Sequence, residues 1–237
     1  MIRKSGRAFL VTASLLAVVF AARPASAQWS ASMYGVAEYD TESALLLLAG
    51  LSAGPGGRGL APRVGVQAYH LGYDGTPSRI NVVVVRPWVG LRNAYEGGSV
   101  SASVGYAFSN KEEQFTQGAF VPDRGDGVVL SGGWDYWGTG GPLGYQLLGS
   151  YNFGTESVWT RGQVTTRVRD LNPGQVRVGA EVAYLAGDNY SGVQPGAIVQ
   201  FHNGSGRIFG LGAGLKYFEG GGDAVYFKVE LGLPLAR

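Results

Sequence analysis

The sequence predicts an all-β fold: a single antiparallel up-and-down transmembrane β-barrel of about twelve strands, ten being the alternative, after a cleaved signal peptide. Three observations predict it. Apolar residues recur with period two through most of the chain. The alternating segments run to about 10–14 residues, the length a tilted strand needs to cross a bilayer, against five or six in common soluble sheets. The composition is rich in glycine and poor in charge, with 40 Gly among 237 residues, 12% aromatic and 15% charged. An ordinary soluble domain carries about 25% charged residues and about 7% Gly. The absence of cysteine excludes a disulfide scaffold and a thiolate metal site.

The domain division expected is 1–27 signal peptide and 28–237 barrel. Arg3, Lys4 and Arg7 precede the small and apolar run Ala8–Ala22, and Ala25-Ser26-Ala27 supplies an A-x-A cleavage site. The apolar run is short for a membrane-spanning helix. Intact-mass spectrometry of the mature protein is expected to show Gln28 as its first residue. Removing Arg3, Lys4, Arg7 and Arg23 turns the formal charge of +2 into −2. With no run of Lys/Arg in the mature chain, a nucleic-acid partner is not expected.

In chain order the strands are expected at 31–40, 44–53, 63–73, 80–93, 99–109, 127–138, 144–154, 157–170, 175–186, 192–203, 207–218 and 223–233. In the fifth, Val100, Ala102, Val104, Tyr106 and Phe108 alternate with Ser99, Ser101 and Ser103. The second, 44–53, is nearly continuous in apolar residues. Further on, Leu143, Tyr145, Leu147, Tyr151 and Phe153 oppose Gly144, Gln146, Ser150 and Asn152. In 157–170, Val158, Thr160, Gly162, Val164, Thr166 and Val168 oppose Trp159, Arg161, Gln163, Thr165, Arg167 and Arg169. Val176, Val178, Ala180, Val182 and Tyr184 oppose Arg177, Gly179 and Glu181. Phe209, Leu211, Ala213, Leu215 and Tyr217 oppose three glycines and Lys216, and Val225, Phe227, Val229 and Leu231 oppose Tyr226, Lys228 and Glu230. Turn residues separate the segments, among them Asp74-Gly75-Thr76-Pro77, Glu96-Gly97-Gly98, Asn172-Pro173-Gly174 and Asn203-Gly204-Ser205-Gly206.

Alternation alone fits a sandwich with its apolar face inside or a membrane barrel with its apolar face toward lipid. Strand length, and aromatics near strand ends (Tyr106/Phe108, Tyr151/Phe153, Tyr184, Phe201, Tyr217), favour the second, since aromatic girdles sit at both bilayer interfaces. With a periplasmic N-terminus, strand parity makes the longest interruption, Asn110–Asp126, an extracellular loop. A tag inserted near Gln117 is expected to be reachable on intact cells.

The stretch Gly179-Ala180-Glu181-Val182-Ala183-Tyr184-Leu185-Ala186-Gly187-Asp188-Asn189-Tyr190, followed by Gly196-Ala197, resembles the BcsS-like family of outer-membrane barrels associated with bacterial cellulose biosynthesis. Leu48-Ala49-Gly50, the Tyr69-x-x-x-Tyr73 spacing and the Gly-rich last hairpin add to the resemblance. It implies an outer-membrane location and a role around exopolysaccharide biosynthesis or secretion, with outer-membrane lipid and the exopolysaccharide machinery as partners. It carries no catalytic site.

The function expected is therefore a non-enzymatic outer-membrane barrel with a structural, exopolysaccharide-associated or narrow-pore role; the alternative is a small barrel enzyme acting on lipid. A Ser–His catalyst needs the two side chains within hydrogen-bond reach. His202 and Ser205 are three residues apart and point to opposite faces if the strand continues. His70 reads as a lumen-facing hydrogen-bonding residue. No cofactor or metal is expected. Arg161, Gln163, Arg167 and Arg169 share a polar face, and Arg177 and Glu181 lie on the next strand of the same hairpin. These six are the candidate lumen ligand residues, with Arg86, Arg92, Lys228 and Glu230 as possible additions. Two readings stand for them: a salt-bridged filling of a narrow lumen, or a basic track for an acidic or sugar ligand. Trp88, Trp134 and Trp159 offer sugar-stacking surfaces, or anchors at the bilayer interface.

Overall fold

Antiparallel pairing runs without a break around a closed sheet in the computed structural model, which describes residues 28–74, 78–115, 120–123, 125–137, 141–187, 190–219 and 223–236. The segment expected as a signal peptide lies outside these residues. The strands are β1 (Trp29–Asp40), β2 (Leu45–Pro55), β3 (Gly59–Asp74), β4 (Ser78–Tyr95), β5 (Gly98–Phe115), β6 (Phe120–Asp123), β7 (Gly127–Tyr136), β8 (Leu143–Asn152), β9 (Ser157–Leu171), β10 (Gly174–Gly187), β11 (Tyr190–Asn203), β12 (Ile208–Phe218) and β13 (Ala224–Ala236). Twelve of them form the wall, each beside its chain neighbour, and β1 closes the cylinder against β13 from Ala31↔Ala236 to Asp40↔Tyr226. Closure leaves no sheet edge, which is what a β-structure needs in hydrocarbon.

The thirteenth, β6, departs from the expected loop at 110–126. β5 continues to Phe115, and β6 folds back on it from Lys111↔Asp123 to Gln114↔Phe120. On its other side the extension pairs with the start of β4, Ser78↔Phe115 to Val83↔Asn110. The polar sequence here marks a hairpin carried beyond the apolar belt, and its backbone still finds a ladder. The proposed tag site near Gln117 lies outside the described residues.

The faces are inside-out, as expected for a membrane barrel. Val164 and Val168 are each 55% exposed on the outside, while Gln163 and Thr165, on either side of Val164, are buried. Val225, Phe227 and Val229 likewise alternate with buried Tyr226 and Lys228. Exterior aromatics gather toward the strand ends. Near the rim that carries the chain termini, Trp134 Nε1 donates to Tyr95 Oη at 2.6 Å, and Tyr145 packs against Trp134 and Tyr136 at ring-centroid distances of 4.7 and 5.2 Å. Near the opposite rim, Tyr106 meets Phe108 and Tyr151 meets Phe153, each at 4.9 Å.

One residue faces otherwise than expected. His70 belongs to the exterior: its neighbours Tyr69 and Leu71 take the lumen positions, and His70 lines a shallow outer groove with Gly35, Ala37, Ala49 and Ala68. The parity of β3 decides this, because Gln67, three residues away, is fixed inward by its bond from Arg86. Trp134 is an interface residue, whereas Trp88 and Trp159 stand on lumen positions.

Candidate functional site

The lumen has two walls of different chemistry. Along β9–β13 and β1 the charges are paired, with Arg177 as the exception. Arg161 donates to Glu181 through Nε at 3.0 Å and Nη2 at 2.7 Å, and Nη2 reaches Glu230 at 2.5 Å. Lys228 reaches Glu181 Oε2 at 2.5 Å and Glu230 at 3.1 Å, and Tyr226 Oη donates to Glu181 at 3.0 Å. Nearer the far rim, Lys216 sits between Glu38 at 2.8 Å and Asp40 at 2.7 Å. All of these side chains are nearly dry, where an unpaired charge costs several kcal/mol.

This network is possible because of what lies beneath it. β10 and β13 are three strand spacings apart, about 14 Å along the wall. Lys228 and Tyr226 bridge that distance only by lying flat over β12 and β11, which present glycines there. A Cβ at Gly196 would fall 2.1 Å from Tyr226 Oη, and one at Gly214 would fall 2.7 Å from Tyr226 Cε1. One at Gly212 would fall 3.2 Å from Lys228 Cε. Gly214→Val is therefore expected to lower stability by about 1–3 kcal/mol through overpacking, read from the urea midpoint of the refolded barrel.

The six sequence-predicted residues do not make one site. Arg161 and Glu181 are the centre of the network, and Arg161 also donates to Gln163 Oε1 at 3.3 Å. Arg177 stands apart near the terminal rim. It is fully buried and bound only by neutral groups: Nε to Thr165 Oγ1 at 3.0 Å and Nη2 to the Pro142 carbonyl at 2.9 Å. The Trp137 ring lies 6.0 Å from its guanidinium and 4.9 Å from the His202 ring, so Trp137, just after β7, turns into the barrel mouth. Arg167 and Arg169 are exposed on the same rim, Arg167 beside Asp170 at 3.6 Å.

The opposite wall, centred on β3 and β4, carries arginines that no acid pairs among the described residues. Arg63 donates to Ser30 Oγ at 2.7 Å and Ser52 Oγ at 3.2 Å, and Arg86 donates to Gln67 Oε1. Among the described residues no ion pair joins Arg63, Arg86 or Arg92 to a carboxylate. Glycines again let large groups lie flat. A Cβ at Gly50 would fall 2.1 Å from the Tyr34 ring, one at Gly65 would fall 2.4 Å from the Trp88 ring, and one at Gly54 would fall 2.7 Å from Arg63 Cδ. Toward the far rim this wall turns apolar, with Val84, Ala107 and Val129 packed together beside Tyr69 and Val82. Sequence reading missed Arg63, Lys216, Glu38, Asp40 and Trp137. The alternation Glu38-x-Asp40 on the polar face of β1 was the available signal for two of them.

His202 Nε2 is engaged by Gln200 Oε1 at 3.1 Å within the lumen, while Ser205 Oγ donates to Asn203 Oδ1 at 2.7 Å in the turn that follows. Among the described residues no group of three or more His, Asp or Glu side chains is disposed to hold a metal.

No family model matches the chain, and no curated protein matches its sequence. Solved structures do share its fold. The β-domain of the Bordetella autotransporter BrkA is 11% identical, with a TM-score of 0.51 over 90% of this chain and 100% of that one. The translocator domain of the autotransporter NalP from Neisseria meningitidis is 10% identical, with a TM-score of 0.51 over 98% of this chain and 96% of that one. The shared fold and the lipid-facing exterior place the chain among the outer-membrane β-barrels.

Proposed function

We propose that the chain is a narrow, non-enzymatic pore of the outer membrane. One observation supports this above others: the large lumen side chains lie along the wall, over glycines, instead of meeting across the centre. Tyr34 and Trp159 occupy lumen positions and remain 39% and 38% exposed. A barrel filled for rigidity alone would bury them. The refolded protein in a planar lipid bilayer is expected to give discrete conductance steps. A folded, inserted barrel that gives none would defeat the pore reading.

The same observations speak against the lipid-hydrolase alternative, because His202 and Ser205 each spend a polar atom on a different local partner. Refolded protein is expected to release no fatty acid from phospholipid or lipopolysaccharide. Release lost in both His202→Ala and Ser205→Ala would restore the enzyme reading. An association with exopolysaccharide secretion remains the finer form of the pore reading. The hairpin that carries the resemblance to BcsS-like barrels, β10–β11, supplies Glu181 to the lumen network. Loss of exopolysaccharide export in a deletion strain, restored by the wild-type gene, is the result expected of that form.

A further inference from the structure

We propose that the β3–β4 wall of the lumen is a binding track for a sugar-like anion, one bearing a carboxylate or a phosphate. The proposal deepens the pore reading and rests on it for access to the lumen. Its basis is an imbalance between the two walls. Arg161, Lys216 and Lys228 are matched by Glu38, Asp40, Glu181 and Glu230, so that wall, Arg177 at the terminal rim excepted, answers its own cations. Arg63, Arg86 and Arg92 have hydroxyl or amide neighbours, or none, and no acid among the described residues.

The register turns these three into a track. Arg86 stands opposite Gln67, Trp88 opposite Gly65, Gly90 opposite Arg63 and Arg92 opposite Ala61. The order down the lumen face is therefore guanidinium, indole, then two guanidinium groups diagonal to each other across adjacent strands. From Arg86 to Arg92 is six residues, about 20 Å of strand. Each guanidinium offers five N–H donors in a planar fork suited to carboxylate and phosphate oxygens. Few of these donors are used. Arg86 Nε is buried with no hydrogen-bond partner, and an arriving anion would supply one.

Between the charged positions the Trp88 ring lies over Gly65, in the space a side chain there would take, and offers a stacking surface. Cations flanking an aromatic plane match a ring compound that carries an acid group. Separate charges spaced along the track let such a solute pass from one to the next without being held too tightly at any of them. Had the wall been selected for filling alone, a carboxylate beside Arg63 or Arg92 would lower the repulsion between them, as Glu181 and Glu230 do around Arg161.

The test uses the refolded protein, with its fold checked by the gel shift on boiling. Glucuronate, glucose 6-phosphate and neutral glucose are titrated calorimetrically, and the reversal potential is measured in a potassium chloride gradient. At least one of the two anions is expected to bind, and glucose is not. Which anion binds distinguishes a carboxylate ligand from a phosphate one. Arg92→Gln is expected to weaken binding about tenfold, the loss of one charge-assisted contact. The channel is expected to prefer chloride, and the Arg63→Gln/Arg86→Gln/Arg92→Gln variant to lose that preference. If the triple variant fails to fold, Arg92→Gln alone decides, since its guanidinium makes no ion pair among the described residues. Anion binding without conductance would keep the track and remove the pore. Conductance with potassium preference and no anion binding would keep the pore and overturn the track. Equal binding of all three sugars, or arginine variants indistinguishable from wild type, would also overturn it.

Discussion

Glu181→Leu should destabilise the barrel by about 3–5 kcal/mol, the range found when one partner of a buried ion pair is removed and the other charge is stranded. Glu181 accepts from Arg161, Tyr226 and Lys228 at once. Its loss leaves Lys228 with Glu230 alone, and leaves a phenol and part of a guanidinium facing an apolar side chain. The measurement is the urea midpoint of the folded barrel in lipid. A second variant isolates the cause. Glu181→Leu combined with Lys228→Met should recover part of the loss, because the stranded ammonium is gone while its volume over Gly212 is kept. A cost below about 1 kcal/mol for the single variant would mean that water reaches this cluster freely.

Val164→Arg should cost about 2–4 kcal/mol if the residue sits near the bilayer midplane, and Val164→Leu should cost almost nothing. Val164 pairs with Ala180 on β10 and Tyr145 on β8, all on the outer face. The charge would therefore be presented to acyl chains with no lumen to retreat into. Spin labels give the same information without energetics: position 164 should be accessible to oxygen and position 167 to water. Greater water access at 164 would invert the barrel.

The reach of sequence reading can be followed residue by residue. Period-two alternation located the long strands because each has one face in lipid and one in a polar lumen, and that contrast is local. It gave less for β2, where Leu46 and Leu48 put apolar side chains on the lumen face as well as on the lipid face, so both faces read alike. It misjudged Asn110–Gln114, since beyond the bilayer a ladder no longer requires an apolar face. Arg63 was overlooked because it falls where the third strand was taken to begin, while β3 starts four residues earlier at Gly59. The ladder Arg161, Gln163, Arg177 and Glu181 was legible as lumen-facing. What it was paired with was not. Lys216 meets Asp40 across 176 residues of chain, and only the closure of the barrel brings them together. The function of the glycines was equally hidden. A glycine at 196 or 65 looks like weak strand propensity until the ring lying over it is seen.

The seam between β1 and β13 sets the order in which this protein can be made. Its partners, from Ala31↔Ala236 onward, stand at opposite ends of the described residues. Every hairpin can form from neighbouring residues as it emerges, but the seam cannot form until the last strand has left the ribosome and crossed the inner membrane. Contacts of such long sequence separation make folding slow. Through that interval β1 presents a row of unpaired N–H and C=O groups, open to pairing with another chain. The nascent barrel therefore has a waiting period with its first strand as the vulnerable surface. A chain truncated before Ala224 would never leave that state, since it would lack both the closing strand and the lysine that anchors the interior.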